Sequence, residues 1–429
     1  MRVMKDSGVR WLGMIPKSWD LDKIVSLYSE RSTKVSDKDY PALSVTKQGI
    51  VPQLESAAKT DNGDNRKLIK KNDFVINSRS DRRGSCGISE YEGSCSLINI
   101  VLAPKNNMVN RYYNYLFKTE LFADEFYKWG NGIVDDLWST KWSNMKNIMV
   151  PFPSLEEQQA IAEHLDTKCA EIDTIIAKEQ SVIEKLQEYR QSIITEIVTN
   201  GLDPTENMVP SGVEWIDSIP LNWKTTRFTK SFEFFKGLNI KKTDLVDSGA
   251  GVVSYGQVHA KNNNGYSLQD GLIRYVAENL IDEKSLLQEG DFVFADTSED
   301  LEGVGNSIHI DSSNELYAGY HTLVARCLDK SICTKYFAFL FLTDIWRSQL
   351  RKNANGTKVY SVTQKMFKAV SCLVPPIEEQ LKIVAYLEQK CDAIDRVISH
   401  KLTIINTLAE YKKSLIYEVV TGKKEVPHV

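Results

Sequence analysis

The groups in this chain that could do chemistry are numerous, but their spacing is not that of a catalytic site. The six histidines, His164, His259, His309, His321, His400 and His428, show no metal-ligand spacing. Seven cysteines, Cys86, Cys95, Cys169, Cys327, Cys333, Cys372 and Cys391, are scattered and form no Cys-x-x-Cys. That usage argues against a zinc site or a disulfide framework and for a reducing, cytoplasmic setting. There is no phosphate-binding loop of the Walker A type and no His-Glu-x-x-His. Gly303-Val304-Gly305 lacks the third glycine of a dinucleotide loop. No Asn/Asp-Pro-Pro-aromatic run of the amino-methyltransferase kind occurs, and Asp203-Pro204-Thr205 does not qualify. Asp282-Glu283-Lys284 is only a fragment of a nuclease signature. The expectation is a non-enzyme that binds no metal and no cofactor itself. The alternative is a self-contained DNA-modifying or DNA-cleaving enzyme with an unrecognised site.

Binding chemistry is better represented. Between Arg66 and Arg83, seven cations (Arg66, Lys67, Lys70, Lys71, Arg79, Arg82, Arg83) stand against Asp73 and Asp81. Ser78 to Ser85 reads as a polar loop after a strand. Arginine forks and small hydroxyls suit phosphate and guanine contacts; the plain alternative is a solvated loop. The matching loop of the second half, Asp296 to Glu302, is acidic, so the two loops cannot do the same job. Candidates there are Lys236, Lys241, Lys242, Gln257, Lys261 and Asn262. Asn and Gln can read adenine, although Asn262-Asn263-Asn264 is also a turn signal. Two further segments mix hydroxyl, amide, basic and aromatic groups after a glycine. One is Asn131 to Lys146, with Lys141 between Trp138 and Trp142; the other is Asn355 to Lys368, with Lys358 and Lys365. The two tryptophans read individually as core. The net charge of -4 requires any nucleic-acid surface to be local.

The elements that must carry these groups are duplicated. Ser7-Gly8-Val9, Trp11, Ile15-Pro16 and Trp19 recur as Ser211-Gly212-Val213, Trp215, Ile219-Pro220 and Trp223. A long stretch without proline or glycine, opening Glu156-Glu157-Gln158 and ending near Asn200, recurs from Glu378-Glu379-Gln380 to Thr421. Its apolar residues fall at helical spacing: Ile161, Leu165, Ile172, Ile176, Leu186 and Ile193, then Ile383, Leu387, Ile394, Ile398, Leu408 and Leu415. Each predicts a helix of roughly 65 Å, too long for one domain to cover. The two are expected to pair along these seams. Ser154 with Glu157 predicts a capping box at the first helix start. Between the shared ends lie short strand-like runs at Ala42–Val45, Asp73–Ile76, Val252–Tyr255 and Asp291–Phe294. One short buried helix is expected in each of Arg111–Tyr127 and Lys335–Leu350. The predicted division is 1–153 and 201–375 as α+β globular domains, 154–200 and 376–422 as spacer helices, and 423–429 as a tail. No run of about 18 apolar residues predicts a membrane span. Met1 to Asp6 leads into no apolar stretch, so no signal peptide is expected. A coiled-coil scaffold without DNA binding would share the helices but not the basic clusters.

The whole pattern resembles the specificity subunit of type I restriction–modification systems. The tryptophan–proline openings and the Glu-Glu-Gln helix starts carry the likeness. So do Cys169…Ile172-Asp173 with Cys391…Ile394-Asp395, and Glu188-Tyr189-Arg190 with Glu410-Tyr411-Lys412. The resemblance implies two target-recognition domains, each reading one half of a bipartite DNA sequence. It also implies an antiparallel helix pair that acts as spacer and docks two methyltransferase subunits. Double-stranded DNA, those subunits and restriction/translocase subunits are the implied partners. S-adenosylmethionine, ATP and magnesium are implied on the partners.

Overall fold

The computed structural model describes residues 2–53, 63–132, 138–311, 314–329, 332–354, 356 and 358–426. Asn355, Thr357, His428 and residues 427–429 of the predicted tail lie outside the described residues. The chain divides into two units. One is Met1–Gln180 with Leu402–Val429, the other Ser181–Lys401. The long helices run Leu155–Asn200 and Ile377–Val420, so each unit holds the start of one helix and the end of the other.

Each unit is built on the same antiparallel sheet. In the first, the order is Cys86–Ile88, Phe74–Asn77, Asn99–Pro104, Tyr28–Glu30; in the second, Ser307–His309, Phe292–Ala295, Thr322–Cys327, Phe232–Lys236. The central strands Phe74–Asn77 and Phe292–Ala295 are buried throughout. Successive side chains point to opposite faces, and both faces are covered. Phe74, Ile76, Ile100 and Leu102 pack with helical aromatics, while Val75 and Val101 meet Leu43, Ile50 and Ile69. Phe292, Phe294, Leu323 and Ala325 repeat the first arrangement, and Val293 and Val324 the second. The predicted strands Ala42–Val45 and Val252–Tyr255 run instead at Leu43–Thr46 and Ala250–Val253.

The helical aromatics come from two helices per unit, not the single one expected: Asn110–Phe117 with Glu120–Lys128, and Thr334–Phe341 with Asp344–Arg351. Threonine makes the break. Thr119 Oγ1 donates to Leu116 O (2.7 Å) and accepts from Phe122 N (3.3 Å); Thr343 does the same with Leu340 O (2.8 Å) and Trp346 N (3.3 Å). One hydroxyl closes one helix and caps the next.

A buried carboxylate precedes each central strand. Asp73 accepts from Arg31 Nε (2.6 Å) and Lys70 N (2.8 Å); Asp291 accepts from Arg326 Nε (2.9 Å) and Gln288 N (2.8 Å). The arginines come from different strands, Arg31 just past Tyr28–Glu30 and Arg326 within Thr322–Cys327. The need of the carboxylate is the same, and two routes satisfy it.

The repeated helix motifs have a common physical explanation. Gln158 is buried; its amide donates to Pro153 O (2.9 Å) and its carbonyl accepts from Val109 N (2.9 Å), the residue before helix Asn110–Phe117. Gln380 does the same with Pro375 O (2.8 Å) and Cys333 N (3.0 Å). In the first turn of the same short helices, Tyr112 Oη donates to Val420 O (2.7 Å) and Tyr336 Oη to Val198 O (3.1 Å). Each globular domain thus holds the start of its own long helix and the end of the other. The predicted capping box is only half made. Glu157 N donates to Ser154 Oγ (3.2 Å), but the Glu157 carboxylate turns away to Trp19 Nε1 (2.8 Å) and Arg2.

Within each unit the helix segments run antiparallel. Ile161, Leu165 and Ile172 cluster with Leu415, Val419 and Val420 in the first; Ile193, Ile194 and Val198 cluster with Ile383, Leu387 and Cys391 in the second. Ile394 is also buried, whereas Ile176, Leu186, Ile398 and Leu408 are only half-buried. The seam is most continuously buried near the domains, and Ile183 is a further buried position along it. Two ion pairs cross the seams, Asp173–Lys412 (2.6 Å) and Arg190–Asp395 (2.6 Å). The Ile-Asp motif of each copy therefore meets the basic residue of the Glu-Tyr-Arg/Lys motif of the other. The duplication is reciprocal.

One buried titratable group distinguishes the second unit. His309 occupies the register position of Ile88, opposite Phe292 as Ile88 is opposite Phe74. It is 3% exposed, and burial, with Lys335 nearby, pushes it down to about 4. A depressed imidazole folds neutral, so its contribution is complete above the unfolded value near 6.5 and is lost as pH falls toward 4. The second unit is expected to lose about 3 kcal/mol over that window. His309→Gln should flatten the pH dependence of its urea midpoint; an unchanged slope would contradict this account.

Candidate nucleic-acid interface

The two first-half segments that carry mixed basic and hydroxyl groups meet at one corner of the sheet. Strand Phe74–Asn77 ends there and the chain continues as Ser78–Arg83. Thr140 N donates to Ser78 O (2.9 Å) and Ser80 N to Trp138 O (3.0 Å), which stitches this loop to residues 138–146. The second segment is anchored on the C-terminal end of helix Glu120–Lys128. Thr140 Oγ1 donates to Phe126 O (2.8 Å) and Trp138 Nε1 to Tyr127 O (2.7 Å). These last-turn carbonyls, which also accept from Trp129 N (3.3 Å) and Gly130 N (3.0 Å), hold the segment to the helix end.

A cleft of about 670 Å³ opens at this corner, lined among others by Lys67, Arg79, Leu97, Ile98, Lys141, Trp142 and Lys146. Lys141 is exposed; Lys67 is held by Glu30 (3.4 Å) and Asn99 O (2.8 Å). The basic stretch from Arg66 to Arg83 is not one patch. Arg66 is buried, with its guanidinium on Ser94 Oγ (2.8 Å) and Ser94 O (3.1 Å), and this corrects its reading as a DNA contact. Lys70 and Lys71 sit in the turn before Phe74–Asn77. The length of that strand, roughly 13 Å, separates them from the Arg79 corner. Arg82 and Arg83 are exposed and partly neutralised, Arg82 by Asp81 (3.5 Å) and Arg83 by Asp124. Arg79 also pairs with Asp81 (3.3 Å). Sequence reasoning missed Leu97 and Ile98, and reached Lys146 only as the end of a candidate segment. Leu97 to Leu102 reads as one apolar strand, and nothing in the residue types says that its first two members stay in water.

The second unit has the same corner with other chemistry. Val362 N donates to Asp296 O (2.7 Å), and Thr297–Ser298 pairs with Tyr360–Ser361. Lys358 and Lys365 are exposed on either side of that short strand, and Lys236 is exposed at the same end of the sheet, opposite Leu323. Lys261 and Asn262 are exposed on a segment tied to the corner by His259 Nε2 and Thr297 O (2.9 Å). Lys241 and Lys242 are exposed on a separate 3-10 turn. Gln257 is a correction: its side-chain oxygen accepts from Ser254 N (3.1 Å) and caps the helical turn Tyr255–Val258. Asn263 and Asn264 are likewise consumed by turn hydrogen bonds. Among the described residues, no group of three or more His, Cys, Asp or Glu could hold a metal ion, and no helix is long and apolar enough to cross a membrane.

A duplicated α+β domain joined by long helices, with a polar corner that differs between copies, defines a two-headed recognition protein. The family model for the type I restriction modification DNA specificity domain matches this chain twice, over residues 27–185 and 220–407. The chain belongs to that family of DNA-specificity subunits. It is 24% identical over 431 residues to the EcoKI specificity subunit of Escherichia coli K12, covering 93% of this chain and 88% of that one. It is 23% identical to the StySPI specificity subunit of Salmonella potsdam, covering 80% and 73%. A chain solved in work on complex assembly and conformational transition of the type I R-M system superposes with a TM-score of 0.70 at 12% identity, covering 96% and 99%. The HsdS subunit from Thermoanaerobacter tengcongensis superposes at 0.50 and 14% identity, covering 96% and 98%.

Proposed function

We propose that this chain is the non-catalytic specificity subunit of a cytoplasmic type I restriction–modification complex. Each globular domain reads one half of a bipartite DNA target through its sheet corner. The charged outer faces of the long helices dock two methyltransferase subunits, which bring S-adenosylmethionine. Restriction/translocase subunits bring ATP and magnesium. One observation carries this reading: the same corner is built twice on the same clips, yet its side chains differ. A scaffold has no need of such divergence, whereas two readers of different sequences require it. In this reading Arg79, Lys141 and Lys146 form the backbone-contacting rim of the first corner, and Lys236, Lys358 and Lys365 that of the second.

Co-expression with a cognate modification subunit and sequencing of adenine methylation is the direct test. A two-part methylated motif that disappears when this chain is omitted is expected. An unchanged methylome would sink the reading. Within the assembled complex, Lys141→Ala and Arg79→Ala should each weaken binding about equally on all sequences. Each should also reduce the slope of log affinity against log salt by about 0.9, the effect of one lost phosphate contact. A salt slope unchanged in both variants would remove these residues from the rim.

A further inference from the structure

Rim cations engaged on phosphates position the protein and do not discriminate sequence, which base contacts must do. The register of the two sheets shows where discrimination can reside. Asn99 is the first residue of its strand to pair with the central strand, opposite Asn77; Thr322 is its counterpart, opposite Ala295. Ile98 and His321 therefore occupy the same place, one residue ahead of the strand at the corner where the two recognition segments meet.

Both are presented to solvent against local preference. Leu97 and Ile98 are adjacent large aliphatics, 39% and 42% exposed, on the wall of a cleft rimmed by cations. His321 has φ +54, a left-handed conformation that residues with side chains seldom adopt. Its imidazole is 59% exposed, packs beside Tyr255 and Tyr320 with ring centroids at 5.7 and 6.0 Å, and contacts Asp296 Oδ1 through Nδ1 at 3.2 Å. Among the described residues its Nε2 has no hydrogen-bond partner. Asp296 thus orients the ring and leaves one nitrogen for an external group. Exposed strain of this kind marks functional positions.

We propose that Ile98 and His321 are corresponding base-reading positions. Ile98, flanked by Leu97, makes apolar contact with a thymine methyl group, and His321 forms a hydrogen bond to a base edge through Nε2, with Asp296 as its positioning residue. This rests on the DNA-specificity reading and adds which residues discriminate and by what chemistry. It also explains how an acidic corner serves the second domain, since Asp296 acts on the imidazole and not on DNA.

The test uses the full chain assembled with its modification subunit. Wild type is first required to methylate a two-part motif; if it does not, the underlying functional reading fails, separately from this one. Ile98→Ala should relax the motif at a thymine-bearing position in one half only, and His321→Ala at one position in the other half only. In each variant the unaltered half serves as the control for folding and assembly. Should a variant fail to assemble, wild-type protein still decides the apolar contact: replacing thymines by deoxyuridine in the target should weaken binding roughly fourfold at one position, the effect of one lost methyl. For the second domain the conservative variant His321→Asn, which keeps a hydrogen-bonding side chain at a left-handed position, should retain assembly and alter preference in its half alone. Unchanged motifs in the assembled variants, changes spread over both halves, or indifference to deoxyuridine would overturn the assignment.

Discussion

Asp73→Ala and Asp291→Ala are each expected to destabilise the protein by roughly 3–5 kcal/mol, read as a lowered urea midpoint. Both carboxylates are 1% exposed. Each accepts a bidentate arginine and a backbone N–H, so removal leaves a partly buried guanidinium and a backbone amide without that partner. The cost arises from that stranded charge more than from the lost attraction. The double change Arg31→Met with Asp73→Leu should therefore recover most of the loss, because it removes both charges and keeps apolar volume. The Coulombic benefit is also visible from the other side: the hydrogen bond to Asp73 holds the Arg31 guanidinium above its ordinary value, and Asp291 does the same for Arg326. A single-variant loss below about 1 kcal/mol would show that the pair is replaceable by water.

Gly422→Val is expected to cost roughly 2–5 kcal/mol, and Gly201→Val clearly less. Both glycines follow a long helix in the left-handed region, at φ +70 and +80, where a β-branched residue is strained by about 1–2 kcal/mol in either copy. The difference comes from what a Cβ would meet. At Gly422 it would lie 2.4 Å from Pro16 Cγ and 2.9 Å from the Trp19 ring, both buried and rigid. At Gly201 the nearest atom is Glu379 Oε1 at 3.0 Å, the end of a side chain that can turn, and the Trp223 ring is 3.5 Å away. Overpacking adds about 1–3 kcal/mol in the first case and little in the second. Thermal denaturation of the two variants checks the ranking; equal losses would mean that the two helix ends are received alike.

Several parts of this architecture were legible as patterns. The seam spacing, the duplicated tryptophan–proline opening and the Glu-Glu-Gln start are local regularities, and repetition within one chain makes them conspicuous. Their partners were not legible. Asp173 meets Lys412 and Arg190 meets Asp395 across 239 and 205 residues, each pair joining one copy's motif to the other's. Thr119 and Thr343 each split what reads as one aromatic helix, because a threonine inside an apolar run signals a cap only when the chain turns there. The basic stretch from Arg66 to Arg83 misled for a related reason. Two core strands run through it, so Arg66 points inward and the remaining cations are divided between opposite ends.

By itself the sequence determined the duplication, the two long helices, their apolar seams and the absence of recognisable catalytic motifs, since all of these are written in residue order and period. Tertiary structure alone decided which cations share a corner, that each domain holds the end of the other copy's helix, and that Ile98 and His321 occupy one equivalent place. Those facts depend on strand register and on contacts between residues distant in the chain, and side-chain chemistry read in order carries no information about either.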